Sequence, residues 1–260
     1  MERERVQRFD RFRRYPEGVR ERIAQAILAA LPQEGKPVLL ELGVGTGAMA
    51  MLLVGRCRYL GLDSDPEMLH LFREKTAGLE DVVAVEADAR AIPLPSGSVD
   101  GVLVSRFWHL IPDWRGVLTE ALRVLRPGGV LLEAWEHIWS PTEEALFRVW
   151  EEALEARGMR VDRGLARRRR QEVREALKAL GLRPAVRLVA RWRERREIEE
   201  FVDLLQAKVF HFAQAVPEAP HLEAMGAVQA FVEKLGGPHA PILTEKRFYL
   251  RMSRTCARTP

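Results

Sequence analysis

Residues 38–48 decide the fold, and they run Val38-Leu39-Leu40-Glu41-Leu42-Gly43-Val44-Gly45-Thr46-Gly47-Ala48. A short apolar run is typical of a buried strand, and alternate glycines before a helix-forming run (48–54) indicate a tight turn into a helix. Glycine allows positive φ and a close approach of the backbone to a ligand, and a helix start offers unpaired N–H groups. The stretch therefore predicts a binding loop for a nucleoside-type cofactor.

The glycine loop fits more than one cofactor. Gly43, Gly45 and Ala48 also match the dinucleotide fingerprint, with Asp63 about 20 residues further on, where a ribose-binding acid is expected. Glu41 lies on the strand, however, and a carboxylate there repels a pyrophosphate and attracts a cation. S-adenosylmethionine (SAM) carries a sulfonium and an ammonium but no phosphate, so charge complementarity favours SAM over NAD. The Tyr-x-x-x-Lys spacing of short-chain dehydrogenases does not occur either.

Length and composition predict one globular domain of 260 residues, with 47% hydrophobic and 30% charged residues. The two cysteines, Cys57 and Cys256, have no metal-site spacing, so no metal is expected, and they suit a reducing cytoplasm. The charged start of the chain (1–5) lacks a signal peptide's apolar region, and no apolar run is long enough for a membrane span. Absent asparagine and abundant arginine resemble thermophile composition.

Basic charge is concentrated in one segment, residues 160–197, which holds 14 Arg and Lys against 5 Asp and Glu. This segment has a net charge of +9, whereas the whole chain has only +4. It is therefore a candidate phosphate-binding surface.

Apolar runs and turn signals alternate along the first half of the chain. Strands are predicted over 38–42, 59–62, 82–85, 99–104 and from 130, with helices between them and a turn at 126–129. This order is typical of βαβ units and a parallel sheet. The pattern then changes, and helices are predicted over 141–157, 170–180, 197–215 and 220–235, with strands over 185–192 and 247–252.

Five motifs in a fixed order carry a resemblance to a known family. They are Glu41-Leu42-Gly43-x-Gly45-x-Gly47, Asp63 with Pro66-Glu67-Met68-Leu69, Ala87-Asp88-Ala89, Phe107-Trp108-His109, and Leu125-Arg126-Pro127-Gly128-Gly129. The set resembles the class I SAM-dependent methyltransferases, and within them the ubiquinone/menaquinone-biosynthesis-like group called methyltransferase type 11. The resemblance covers residues 36 to 136.

The resemblance implies an α/β fold with a Rossmann-like, seven-stranded, mostly parallel doubly wound sheet. It also implies an N-terminal helical lid (1–34) and a SAM-binding core (36–137). We expect a helical, substrate-side region with strand 6 (138–245), inserted near the C-terminal strands, and a last strand (246–255).

The resemblance also assigns roles to residues of this chain. Glu41 and the loop of Gly43, Gly45 and Gly47 would bind the methionine end of SAM, and the family more often has Asp at position 41. The other implied cofactor contacts are Asp63 to the ribose hydroxyls, Ser64 and Met68 beside the adenine, Asp88 and the N–H of Ala89 on the adenine edge, and Ser105 and Arg106 facing the methionine moiety.

Two residues are candidates for a general base. His109 follows strand 4, near where the methyl group should point, and a histidine pKa of about 6.5 suits proton transfer. Tyr15 precedes Pro16, in the segment that related enzymes place over the cofactor, and Phe9 and Phe12 are further lid candidates. Trp108 is expected to line the acceptor pocket.

The predicted function is methyl transfer from SAM to a small-molecule acceptor. One alternative is an RNA methyltransferase that binds tRNA or rRNA through the basic segment 160–197. Against it, Ser105-Arg106-Phe107-Trp108 stands where base amino-methylating enzymes usually carry an Asn/Asp-Pro-Pro-aromatic motif. A SAM-binding protein without catalysis is a further alternative.

Overall fold

The computed structural model describes residues 15–256, which fall into two compact units. The core unit comprises residues 15–136, 165–190 and 248–256, and the helical unit comprises residues 137–164 and 191–247. Within the described residues, the longest apolar helix is still too short or too polar to cross a bilayer. Phe9 and Phe12, the predicted lid residues, lie outside the described part of the chain.

Seven strands form one sheet, in the order β3-β2-β1-β4-β5-β7-β6. They are β1 (Val38–Leu42), β2 (Arg58–Asp63), β3 (Val82–Glu86), β4 (Val99–Ser105), β5 (Leu125–Trp139), β6 (Ala185–Glu197) and β7 (Pro241–Arg254). The pairs β1–β2, β1–β4, β2–β3 and β4–β5 are parallel. The sheet is the predicted seven-stranded, mostly parallel one, and its strand order reverses between β1 and β4.

The helices of the core unit follow the strands closely. They are α1 (Glu17–Leu28), α2 (Ala50–Leu53), α3 (Pro66–Lys75), α4 (Trp114–Val124) and α6 (Leu165–Ala179), with a short 3₁₀ turn over Trp108–Leu110. An aspartate caps the start of two of them, because Asp65 accepts from the Glu67 N–H at 2.9 Å and Asp113 accepts from the Gly116 N–H at 3.0 Å.

The apolar positions of β1 and β4 are buried on both faces of the sheet. Leu39, Leu40 and Leu42 are fully buried, as are Val102 and Val104 on the neighbouring strand. Each such side chain contributes roughly 1.5–3 kcal/mol of transfer free energy. This packing fixes the strand ends, where the candidate site lies.

The helical unit contains four helices around a core of its own. They are α5 (Pro141–Glu155), α7 (Ile198–Gln206), α8 (His211–Gln214) and α9 (Glu218–Lys234). Trp150 is fully buried and donates its Nε1–H to His221 Nδ1 at 3.2 Å. Burial lowers the pKa of His221, so this histidine remains a neutral acceptor in the core.

One segment that was predicted as a turn belongs to a strand. Arg126–Gly129 was predicted as a turn but lies inside β5, as a register shift between Val99↔Leu125 and Gly101↔Val130. The Gly128 N–H donates to Cys256 O, and the Thr255 N–H donates to Gly129 O, so the segment pairs as strand despite Gly128's φ of 78°.

The helix predicted over 197–215 is two helices, α7 and α8. Lys208 has a φ of 50°, which ends α7, and its ammonium donates to Val216 O at 2.8 Å. Glu218 pairs with the same ammonium at 2.8 Å. The break is therefore held by tertiary contacts that a periodicity argument does not include.

Candidate functional site

A cleft of about 420 Å³ opens at the carboxyl ends of β1 to β4. It is lined by Gly43, Leu62, Asp63, Ser64, Ala87, Asp88, Ala89, Arg90, Phe107, Ile111, Pro112 and Asp113. Ligands of doubly wound sheets bind where the strand order reverses, and this cleft lies beside that point. Of the predicted cofactor residues, Gly43, Asp63, Ser64, Asp88 and Ala89 meet in it.

Two positions of the loop have to be glycine, because a side chain there would clash with a neighbouring aromatic ring. Gly43 and Gly47 have φ of 69° and 83°. A Cβ at Gly43 would lie 2.3 Å from Phe107 Cδ2, and one at Gly47 would lie 2.5 Å from Phe72 Cδ2. The loop therefore packs on aromatic rings from β4's end and from α3, which the sequence did not reveal.

Gly45 is the open position of the loop. Its φ is 53°, and a Cβ there would have no heavy atom within 4 Å. Its N–H donates to Asp63 Oδ2 at 2.8 Å, while the Asp65 N–H donates to Oδ1 at 3.0 Å. Burial raises the pKa of Asp63, and these N–H groups oppose the rise. Each oxygen keeps a further lone pair for a ligand hydroxyl.

Glu41 lies beneath the loop and is only 2% exposed. The buried Tyr59 hydroxyl on β2 donates to its carboxylate. Burial and the neighbouring Glu41 raise the pKa of Tyr59 well above the usual value, so the phenol remains a donor. Glu41 is not among the residues that line the cleft, and its contact with the methionine end of SAM stays a prediction.

Asp88 lines the cleft with its carboxylate held by Arg90. The Arg90 side chain donates to both carboxylate oxygens at 2.5–3.0 Å, and the Arg90 N–H donates to Oδ1 at 2.8 Å. These hydrogen bonds lower the pKa of Asp88. Sequence reasoning missed Arg90, although an Asp that accepts from the N–H two residues on is a recognisable turn. Met68 lies in the first turn of α3, outside the lining residues.

The predicted methionine-end residues lie at the end of β4. Ser105 closes the strand, and Arg106 adopts a φ of 53°, which a side chain rarely takes. Arg106 NH1 donates to Glu136 Oε1 at 2.8 Å, and the Tyr15 hydroxyl donates to the same oxygen at 2.5 Å. Glu136 was not predicted, because its partners lie 30 and 121 residues away in the chain.

The 3₁₀ turn carries the other predicted residues. His109 is half-buried, and Phe107 and Ile111, two residues before and after it in the sequence, both line the cleft. Its role as a base stays a prediction. Trp108 is 2% exposed and packs in the hydrophobic core. Phe107, but not Trp108, is among the residues that line the cleft, and a place for Trp108 in the acceptor pocket stays a prediction.

The charges of the cleft fit SAM better than a dinucleotide. Its lining residues include the carboxylates of Asp63, Asp88 and Asp113 and the guanidinium of Arg90, an excess of negative charge that disfavours a pyrophosphate. The helix after the glycine loop, α2, has only four residues. It therefore lacks the long helix dipole that holds phosphates in dinucleotide folds.

Fold and site together define a doubly wound α/β protein with a cleft that suits a nucleoside cofactor. Residues 40–132 match the family model described as a methyltransferase domain. This part of the chain, about a third of its length, is thus similar to class I methyltransferase domains of the type 11 kind, whose methyl donor is SAM.

The curated relatives match less than half of the chain. An uncharacterized methyltransferase of Mycobacterium bovis is 42% identical over 43% of this chain and 44% of its own length. The demethylmenaquinone methyltransferase of Thermus thermophilus is 38% identical over 42% of this chain and 50% of its own length. The chain thus spans about half the length of the curated relatives it matches. The Bacillus subtilis YcgJ structure has the same fold, with a TM-score of 0.56 at 15% identity over 90% of this chain and 98% of its own.

Proposed function

We propose that this protein transfers a methyl group from SAM to a small-molecule acceptor. The observation that carries the proposal is the bond between the Gly45 N–H and Asp63, in a cleft rich in carboxylates. The glycine loop and the desolvated Asp63 carboxylate lie together at the cleft, which supports binding of a ribose with two adjacent hydroxyls. Asp88 and the Ala89 backbone would hold the adenine, and Ser105 and Arg106 would hold the methionine end.

The residues of the chain mainly have to align the reactants. When bound, SAM supplies a methyl group on a good leaving group, so the transfer is an in-line displacement that depends on positioning. A base is required only if the acceptor keeps its proton. His109 is our first candidate. Tyr15 is the second candidate. Its hydroxyl oxygen would accept the proton of the acceptor molecule and would pass its own hydroxyl proton to Glu136 Oε1.

Calorimetric titration with SAM, S-adenosylhomocysteine and NAD tests the cofactor. We expect the first two to bind at micromolar concentrations and NAD to bind at least a hundredfold more weakly. If neither SAM nor S-adenosylhomocysteine bound at millimolar concentration, the proposal would be overturned. A screen for methyl transfer to fractionated metabolites would then separate an enzyme from a SAM-binding protein without catalysis, since the fold alone does not fix a reaction.

An RNA acceptor is the second candidate function, and the structure weakens its main support. Within the helical unit, Arg163 pairs with Glu144 and Glu151, and Arg196 pairs with Glu143. Arg191 pairs with Glu245 at 2.5 Å. Acidic residues outside the segment thus neutralise part of its charge. Binding of tRNA that weakened steeply with salt would restore this candidate.

A cytoplasmic location also belongs to the proposal. The thiols of Cys57 and Cys256 are both free, as expected in a reducing compartment. Burial raises the pKa of the Cys57 thiol to about 11, so this thiol is unreactive at neutral pH.

A further inference from the structure

A second polar cluster lies on the α6 side of β5. Trp135 and Tyr249 stack with ring centroids 5.6 Å apart. The guanidinium carbons of Arg170 and Arg251 each lie 5.4 Å from the Trp135 ring centre. Beneath them, Arg251 NH1 donates to Glu133 Oε2 at 2.6 Å. Two arginines and one glutamate therefore lie beside a stacked pair of aromatic rings.

The hydrogen bonds of this cluster are incomplete. Glu133 and Arg251 are 4% and 5% exposed, yet Glu133 Oε1 and Arg251 Nε have no hydrogen-bond partner among residues 15–256. Arg170 is half-buried, and no carboxylate of the described chain lies within ion-pair distance of it. A buried guanidinium normally has its donors satisfied, so a ligand that brings acceptor atoms would satisfy the arginine side of the cluster. Burial raises the pKa of Glu133 to about 7, so a protonated Oε1 would donate to the same ligand.

The cluster lies at the same edge of the sheet as the cofactor cleft. In the β4–β5 register, Ser105 pairs with Ala134, so Trp135 is level with the end of β4. α6 packs against the 3₁₀ turn that carries His109. Arg169, next to Arg170, donates to the carbonyl of Pro112, which lines the cleft. The cluster and the cleft therefore lie at the same end of the sheet and are linked through α6 and the 3₁₀ turn.

We propose that Arg170, Arg251 and Trp135 form a subsite for the methyl acceptor, which binds an oxyanion attached to a planar group. The proposal rests on the proposed function, because it names the substrate class of the same enzyme. Arg170 would receive the oxyanion, a carboxylate or a phosphoryl group. The planar body would pack against the half-exposed edge of the Trp135–Tyr249 pair, because Tyr249 and the two guanidinium groups lie over the Trp135 ring. Glu133 would hold Arg251 in place without neutralising both guanidinium groups.

Direct binding to the full chain tests this subsite. The probes are benzoate, phenyl phosphate and benzyl alcohol, titrated in the presence of saturating S-adenosylhomocysteine. Indole N–H resonances report the site, and comparison with Trp135→Phe identifies the Trp135 signal among the six tryptophans. We expect benzoate or phenyl phosphate to shift this signal with millimolar affinity, and benzyl alcohol to bind at least tenfold more weakly. The tighter of the two anions identifies the oxyanion.

Matched variants separate the subsite from general electrostatics. Arg170→Gln should weaken anion binding at least tenfold, and Arg73→Gln, an exposed arginine of α3, should leave it unchanged. Arg170→Lys, which keeps the charge, provides the test if the glutamine variant does not fold. Equal binding of benzoate and benzyl alcohol, or no shift of the Trp135 signal, would overturn the subsite. Binding of S-adenosylhomocysteine in the same samples is a separate readout, so failure of the subsite leaves the proposed function intact.

Discussion

The backbone N–H of Gly45 donates a hydrogen bond of 2.8 Å to the carboxylate of Asp63, across 18 residues of chain. This bond ties the tip of the glycine loop to the end of β2. Asp63 therefore has two tasks, to shape the loop and to face the ligand.

Asp63→Asn tests both tasks. The amide keeps one acceptor oxygen for two N–H groups, so one of the bonds from Gly45 and Asp65 is lost. We expect binding of S-adenosylhomocysteine to weaken 10- to 100-fold, corresponding to about 1.5–3 kcal/mol for hydrogen bonds to a charged group. Isothermal calorimetry measures the change. Asp65→Ala is the matched control, because it removes only the cap of α3 and should cost about 1 kcal/mol of stability with little change in affinity.

Alanine substitutions should distinguish the roles of Gly45 and Gly47. Both residues have positive φ, so each alanine costs about 1–2 kcal/mol. Gly47→Ala also places a Cβ against Phe72 and should lower the free energy of unfolding further, by roughly 1–3 kcal/mol. Gly45→Ala has space around it and should mainly impair cofactor binding. Urea unfolding and calorimetry on both variants would contradict this view if Gly45→Ala were the less stable protein.

His109→Ala is expected to lower the single-turnover rate of methyl transfer at least tenfold, since a positioned base contributes about 10²–10⁴-fold. The loss should shrink as pH rises and the acceptor ionises without help. His70→Ala, on the exposed face of α3, is the control and should be neutral. A loss below tenfold, with an unchanged pH profile, would remove His109 from the mechanism.

Glu133 predicts a pH dependence of stability. Burial raises the pKa of Glu133 from 4.5 to about 7, although Arg251 and Arg170 oppose the rise. Because the folded state holds this proton more tightly than the unfolded state, the contribution to stability is full below pH 4.5 and is lost as pH rises to about 7. The effect is of order 1–3 kcal/mol. Glu133→Gln should flatten the unfolding free energy across this window, and an unchanged slope would contradict the assignment.

The sequence predicted those parts of the fold that depend on residues close together along the chain. The apolar run of β1 and the positive-φ glycines are each decided within a few residues, and they appear as predicted. The segment at 126–129 was missed because Thr255 and Cys256 pair with it from the far end of the chain.

The candidate site was predicted as a set of strand ends, but its polar partners were not. Glu136 and Tyr15 are 121 residues apart, and Glu133 and Arg251 are 118 apart. No periodicity or spacing rule relates such pairs, because only the sheet order brings their strands and loops together. Glu41 is a similar case. Its position before the loop predicts a ligand contact, but in the structure its carboxylate accepts a hydrogen bond from the buried Tyr59 hydroxyl.

The position of β7 between β5 and β6 has a consequence for synthesis on the ribosome. β6 emerges more than forty residues before β7 and has no neighbouring strand until β7 arrives. The half of the sheet that holds β1 to β4 can pair while the chain is still growing, since each of those strands finds its partner early. Until β7 is synthesised, the backbone N–H and C=O groups of β6 have no partner strand. The alternating arginines of β6 at 191, 193 and 195 would disfavour pairing of this exposed strand with other chains.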